Sequence, residues 1–243
     1  MKLRRIYLQM QLSVAAEIQL EGAQAHYLAR VLRLRAGHNL EVFNGDGNNY
    51  SAEILRVSKK ALSLKIKQCS VGIPASKIEI NLVQALTRGE RLDYSLQKAT
   101  ELGVNTIQLL LTERVELHLE EKRLQRRMQH WQQVIISACE QSGRSDVPVL
   151  SEPLLLADYL AIKPACERLV LDPQAQQGVS GIALSSGSVD LLIGPEGGFT
   201  EVELLQFAAE NVQAMRIGPR TLRSETAGPA AIAIIQQYYG DLN

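Results

Sequence analysis

Apolar and polar residues alternate with period two through the first seventy positions. Leu40 and Val42 alternate with Asn39 and Glu41 up to Phe43, and Tyr50, Ala52 and Ile54 alternate with polar neighbours. Leu62, Leu64 and Ile66 then alternate with Ser63, Lys65 and Lys67. One apolar face per segment predicts half-buried strands. Asn44-Gly45-Asp46-Gly47 separates the first two as a turn, and Lys59-Lys60 separates the next two. Residues 22–34 place Tyr27, Val31 and Leu34 at i, i+4 and i+7, which predicts a short helix. The expected unit is a compact β-barrel carrying one helix.

The stretch 70–77 holds a glycine, a proline and two serines between patterned segments, so the domain boundary falls there. It is drawn as 1–72 and 73–243. Beyond it the rhythm changes. Strands are expected at Ile78–Leu86, Thr106–Leu111, Leu169–Leu171, Asp190–Ile193 and Ala214–Ile217. Helices are expected at 89–102, stopped by Gly103, at 119–141, from the capping box Thr200-x-x-Glu203 to about Glu210, and at 226–239. Short apolar strands alternating with helices predict an α/β domain with a mostly parallel sheet covered on both faces.

With 243 residues, 46% hydrophobic and 21% charged, the chain has the make-up of a folded protein, which excludes disordered, collagen-like and coiled-coil classes. No apolar run is long enough to span a membrane, and no signal peptide is read in the opening residues. Cys69, Cys139 and Cys166 form no CxxC pair, which fits a cytoplasmic location. His26, His38, His118 and His130 show no ligand spacing, so no metal is expected.

Net charge is zero, but its distribution is uneven. Residues 1–75 carry +6, residues 76–145 carry +1 and residues 146–243 carry −7. A basic amino-terminal third suggests contact with an anionic partner. Its candidates are Arg4, Arg5, Arg30, Arg33, Arg35, Lys59 and Lys60, with Arg88, Arg91 and Arg144 in the second domain. Arg30 and Arg33, three apart, are expected on one helix face. Lys122, Arg123, Arg126 and Arg127 read as a solvated helix face, Trp131 as a core or interface anchor, and Cys139 as an apolar helix residue rather than a nucleophile.

Open parallel sheets bind ligands beyond the carboxyl ends of their strands. Two loops stand there: Gly194-Pro195-Glu196-Gly197-Gly198, and Gly218-Pro219-Arg220-Thr221-Leu222-Arg223-Ser224-Glu225-Thr226. The first lets a ligand approach the main chain closely. Neither contains a GxxxxGK[ST] phosphate cradle, a GxGxxG fingerprint or a GxSxG elbow, so ATPase, dehydrogenase and serine-hydrolase readings lose support.

LLIGPEGGFTEVE (Leu191–Glu203) paired with RIGPRTLRSETA (Arg216–Ala227) closely resembles the SPOUT superfamily of RNA methyltransferases. Within it, the chain is similar to the bacterial family that methylates N3 of a uridine in the decoding region of small-subunit ribosomal RNA. RRIYL (Arg4–Leu8), HYLARVLRLRAG (His26–Gly37), FNGDG (Phe43–Gly47), TRGERLDYSLQKATELGV (Thr87–Val104), ERV (Glu113–Val115) and ACEQSGR (Ala138–Arg144) extend the likeness over nearly the whole chain. It implies a PUA-like RNA-binding β-barrel followed by a methyltransferase domain with a deep trefoil knot. It also implies a homodimer acting on ribosomal RNA or the small subunit.

The resemblance further implies an S-adenosylmethionine pocket. Leu171, Ile193, Gly194, Pro195, Glu196 and Gly197 would form one part, Ile217 and Gly218 a second, and Leu222, Ser224, Thr226 and Ala227 a third. Arg223 is the first catalytic candidate, stabilising charge on a uracil oxygen or binding a phosphate. Glu225 is the second, or else pairs structurally with Arg223. Glu196 is either a base or a cap on the following helix. Leu171-Asp172-Pro173 departs from the family, which is expected to place a histidine near that strand end, and Gly228-Pro229 departs from an alanine-rich helix start. Rival readings are a SPOUT enzyme acting on transfer RNA or another ribosomal base, and a non-catalytic assembly factor that binds RNA but no cofactor.

Overall fold

A computed structural model describes residues 4–58, 60–115 and 121–242. They form two compact units: residues up to Pro74 together with Cys139–Val147, and Ala75–Ala138 together with Pro148 onward.

The first unit contains β1 (Arg5–Tyr7), β2 (Glu17–Glu21), α1 (Gly22–His26), a π-helical segment Tyr27–Val31, β3 (Asn39–Phe43), β4 (Asn48–Val57) and β5 (Ala61–Val71). The strand order is β1-β3-β4-β5-β2, antiparallel except for the parallel β1–β3 pair. The period-two apolar positions form its core: Leu40, Val42, Ala52, Ile54, Leu62, Leu64 and Ile66 are buried, with Ile18 and Leu20 from β2. The expected barrel is a half-barrel. Its two edges, β1 and β2, are only three and five residues long, and among the described residues no ladder joins them.

The helix expected over 22–34 is also different. Five α-helical residues widen into the π segment, which places Leu28 in the core while Tyr27 and Val31 face outward. The buried positions are Ala25, Leu28 and Leu34 rather than the Tyr27–Val31–Leu34 stripe. Arg33 follows the helix with φ 54, so it does not share a helix face with Arg30.

The second unit begins with β6 (Glu79–Ala85), α2 (Arg91–Glu101), β7 (Thr106–Leu111) and α3 (Glu121–Ser142), whose last turn belongs to the first unit. It continues with β8 (Val149–Leu155), α4 (Leu156–Ala161), β9 (Glu167–Leu171), a 3-10 turn Val179–Gly181, β10 (Ser188–Ile193), α5 (Glu201–Ala209), β11 (Gln213–Met215) and α6 (Ser224–Tyr239). The order is β11-β9-β10-β6-β7-β8 and every pair is parallel. One face packs Val83, Leu110, Val170 and Leu192 against Leu156, Leu160, Phe207 and Val212. The strand β8, absent from the sequence reading, is an edge strand, where Pro153 is tolerated because one side needs no ladder donor.

The last helix starts two residues earlier than expected, so Pro229 lies inside it rather than in its first turn. That proline cannot donate to the carbonyl four residues back. The far end of α6 is tied down instead. Buried Gln236 donates to the Leu102 carbonyl at 3.1 Å and accepts from Ser76 Oγ at 2.7 Å, and the Tyr239 hydroxyl donates to the Ile182 carbonyl at 2.5 Å.

Candidate functional site

A cavity of about 430 Å³ opens beyond the carboxyl ends of β9, β10 and β11. The strand ends bring three loops together there because all run parallel. Of the sequence candidates, Leu171, Ile193, Gly194, Pro195, Glu196, Ile217, Gly218, Leu222, Ser224 and Ala227 line it. Gly197 and Thr226 are not among the lining residues. The Gly197 carbonyl is turned to accept from the Arg114 guanidinium, and exposed Thr226 donates its N–H to the Arg223 carbonyl at 2.9 Å.

Further lining residues lie outside the pocket set that the resemblance implies. Asp172, Pro173 and Gln174 follow Leu171, Gly198 and Phe199 lead into α5 and Leu204 lies within it, Met215 and Arg216 precede the second glycine loop, and Arg220 and Thr221 lie inside it. Gly198, Phe199, Arg216, Arg220 and Thr221 fall inside the two motifs and Asp172-Pro173 at the expected departure from the family, while Gln174, Leu204 and Met215 carry no signal beyond adjacency.

Hydrogen bonds fix the loops before any ligand arrives. Ser224 Oγ donates to the Gly194 carbonyl at 2.6 Å, joining the first turn of α6 to the loop after β10. Thr200 and Glu203 form a reciprocal capping box at α5, and Glu203 Oε1 also accepts from the Glu113 N–H at 2.9 Å. Phe199 meets Phe207 edge-on with centroids 4.8 Å apart.

Glu196 therefore does not cap α5. Its Oε1 accepts from the Arg88 backbone N–H at 3.1 Å and from Arg91 at 2.9 Å. Burial works against its charge, but its own backbone N–H, that of Arg88 and the Arg91 guanidinium outweigh burial and hold the carboxyl below its usual range. An anion held in this way is a poor base and a good anchor.

Arg223 and Glu225 lie on the α6 side of the site but do not line the cavity. The Arg223 side chain is 80% exposed, with its Nη1 4.0 Å from Glu225 Oε1. Arg91 Nε approaches the same oxygen at 3.9 Å. Glu225 Oε2 is buried without a hydrogen-bond partner among the described residues. Arg88 is exposed just past the end of β6.

The basic candidates of the first unit divide into two groups. Arg4, Arg30, Arg33, Arg35 and Lys60 are exposed, and Arg30 and Arg35 line a shallow groove with Leu34, Val57 and Ser58. Lys59 lies outside the described residues. Arg5 and Arg144 do not belong to that surface. Arg5 is ion-paired with Glu41, lies over the Phe43 ring at 4.9 Å, and donates to Asn49 Oδ1 at 3.0 Å and the Arg144 carbonyl at 2.9 Å. Arg144 is buried against Asp146 at 2.5 Å. Both are structural because their charges are neutralised inside the unit. Burial pushes the Cys139 thiol up to about 12, so it is not a nucleophile at neutral pH. Among the described residues there is no cluster of metal-ligating side chains, and no helix is long and apolar enough to cross a membrane.

Residues 74–236 match the family model of an RNA methyltransferase domain, and residues 20–67 that of an RNA methyltransferase PUA domain. The chain is 32% identical to the ribosomal RNA small subunit methyltransferase E of Buchnera aphidicola subsp. Schizaphis graminum, covering 100% of this chain and 99% of that one. It is 30% identical to the protein of the same name from Rickettsia conorii, covering 97% and 96%. Two solved structures are similar over their whole length. A Legionella pneumophila methyltransferase in complex with S-adenosylmethionine has TM-score 0.95 at 33% identity, with 100% of both chains covered. The ribosomal RNA small subunit methyltransferase E of Neisseria gonorrhoeae bound to the same cofactor has TM-score 0.92 at 34% identity, covering 99% and 100%.

Proposed function

Since the chain belongs to the ribosomal RNA small subunit methyltransferase E family, we propose that it methylates N3 of a uridine in the decoding region of small-subunit ribosomal RNA. It is an S-adenosylmethionine-dependent ribosomal RNA methyltransferase built from a PUA domain and an α/β methyltransferase domain. The observation that carries the finer reading is the cavity beyond the ends of β9, β10 and β11. Its volume is that of a small-molecule site. Its lining mixes apolar side chains (Leu171, Ile193, Ile217, Leu222, Ala227) with the main chain of Gly194 and Gly218. Such a lining fits an adenine face and the polar groups of a nucleoside.

S-adenosylmethionine, when bound, supplies an electrophilic methyl group on sulfur. The chain's own task is to hold the uracil in line with that methyl group and to accommodate loss of the N3 proton. Arg223, exposed and only loosely paired, stabilises the negative charge that develops on a uracil oxygen. Glu225 pairs with Arg223 through its Oε1 and holds that guanidinium on the α6 side of the site. Glu196 stays ionised and keeps the loop in place through Arg91.

The exposed arginines and Lys60 of the first unit supply the ribosomal RNA contact, with Arg88 at the rim of the second unit. The carboxy-terminal segment is read as threaded into a trefoil knot. What supports that threading is membership of the family whose motifs the two glycine loops carry. The working species is a homodimer that meets the small subunit in the cytoplasm, and the three unpaired cysteines fit that compartment.

The test is mass-spectrometric mapping of small-subunit ribosomal RNA from cells with and without the gene. Loss of a single N3-methyluridine is the expected result. An unchanged decoding region, or loss of a different modified base, refutes the assignment.

A further inference from the structure

Gln84 stands one residue from the end of β6 and is wholly buried. Its Nε2 donates to Ser224 Oγ at 3.2 Å and to the Ala85 carbonyl at 3.0 Å, while its Oε1 has no partner among the described residues. Helix α6 passes closely over this point. A Cβ at Gly228 would lie 3.7 Å from Gln84 Oε1 and 3.6 Å from Ile193 Cγ1.

An amide with an unpaired oxygen is an expensive occupant of a strand interior; an unbranched apolar side chain fills the same volume without that cost. What the amide adds is direction. A hydroxyl that accepts a hydrogen bond from one side has its own proton free for the other. By donating to Ser224 Oγ, Gln84 turns the Ser224 proton toward the Gly194 carbonyl, where the 2.6 Å bond is found. Gly194 and Ser224 lie on two walls of the cavity that come from different places in the chain, the loop after β10 and the first turn of α6.

We infer that Gln84 is a positioning residue for the methyl donor: through Ser224 it sets the separation of the two cavity walls without touching the ligand. The inference rests on the reading of this cavity as the S-adenosylmethionine site.

The test is a double-mutant cycle in the full-length protein, using Gln84→Met and Ser224→Ala. S-adenosylmethionine affinity is measured by calorimetry, KM and kcat by methyl transfer, and melting temperature alongside. Each single change should weaken binding about tenfold, and the double mutant should be no more than about twofold weaker than either. In Gln84→Met the KM for the donor should rise while kcat at saturation and the melting temperature hold. If Gln84→Met is thermolabile, Gln84→Leu provides the second variant; it lacks the donor, buries no charge and should weaken binding to the same extent. Additive losses overturn the inference, as does a Gln84→Met protein that binds like wild type while Ser224→Ala is impaired; the cavity reading survives both. If neither change affects donor binding, the inference falls and the cavity reading stands; if the wild-type protein binds no donor, the cavity reading itself falls.

Discussion

Arg91, the first residue of α2, holds Glu196 at 2.9 Å and so anchors the glycine-rich loop after β10 to a helix that follows a different strand. Both side chains are partly exposed, so the pair contributes under about 1 kcal/mol to global stability. Its effect should be local. Arg91→Ala should leave the melting temperature nearly unchanged and weaken S-adenosylmethionine binding several-fold, as read by calorimetry. The pH dependence follows from the depressed Glu196 carboxyl. Its contribution is complete above the ordinary glutamate range, about 4.3, and is lost only as pH falls through the lower folded value. In Arg91→Ala that loss should move to higher pH.

Arg223→Ala should lower kcat by about 10²-fold or more with donor affinity largely intact, because a group that acts on developing charge contributes mainly in the transition state. Arg223→Lys should restore only part of the rate, since a point charge does not reproduce a planar guanidinium. Single-turnover methyl transfer on small-subunit ribosomal RNA measures both. Equal turnover in the alanine variant removes Arg223 from the mechanism.

Neighbouring arginines of the first unit should behave in opposite ways. Arg5→Ala strips a buried ion-pair partner and should cost about 3 kcal/mol in denaturant unfolding, because Glu41 and Asn49 lose their donor. Combined replacement of the exposed Arg30, Arg33 and Arg35 by alanine should leave stability alone and weaken RNA binding. The slope of log affinity against log salt should then shrink by about 0.7–0.9 for each phosphate that is no longer neutralised. Filter binding across a salt series distinguishes the two outcomes.

Glu140, in the last turn of α3, has its carboxyl pushed up by burial, against the opposing Tyr7 N–H at 3.0 Å and the nearby Arg5. A raised carboxyl makes the ionised form a liability. The cost appears as pH rises through the unfolded value and is complete above the folded one. Glu140→Gln should therefore melt higher than wild type at pH 7, and the gap should close below about pH 4. Thermal melts at several pH values check the sign.

Much of this architecture could be read from the residues, for identifiable reasons. The strands around Leu40–Val42, Ala52–Ile54 and Leu62–Ile66 were legible because one face is buried and period two survives. The parallel strands were legible as apolar runs, since sheets covered on both faces need them. Proline-containing β8, with no clean alternation, gave no such signal. The π segment escaped because Tyr27 and Val31 imitate an apolar stripe that faces solvent. At the site, the two glycine loops were visible from composition, whereas Asp172-Pro173 stood out only as a departure from the family and Gln174 carries no pattern. Gln84 was hidden within an apolar strand, and its partner lies 140 positions away. Arg5 looked like one more surface charge because Glu41, Asn49 and Ser145 approach it only after folding.

The two borders of the six-stranded sheet have a consequence for behaviour at high concentration. An open sheet offers unpaired main-chain groups at each border and so invites foreign strands to polymerise onto it. One border here is β11, only three residues long; the other is β8, where Val149 and Leu155 are exposed but Pro153 removes a donor and Glu152 adds charge. Both templates are blunted: β11 is too short to seat a long foreign strand, and Pro153 with Glu152 makes β8 a poor one.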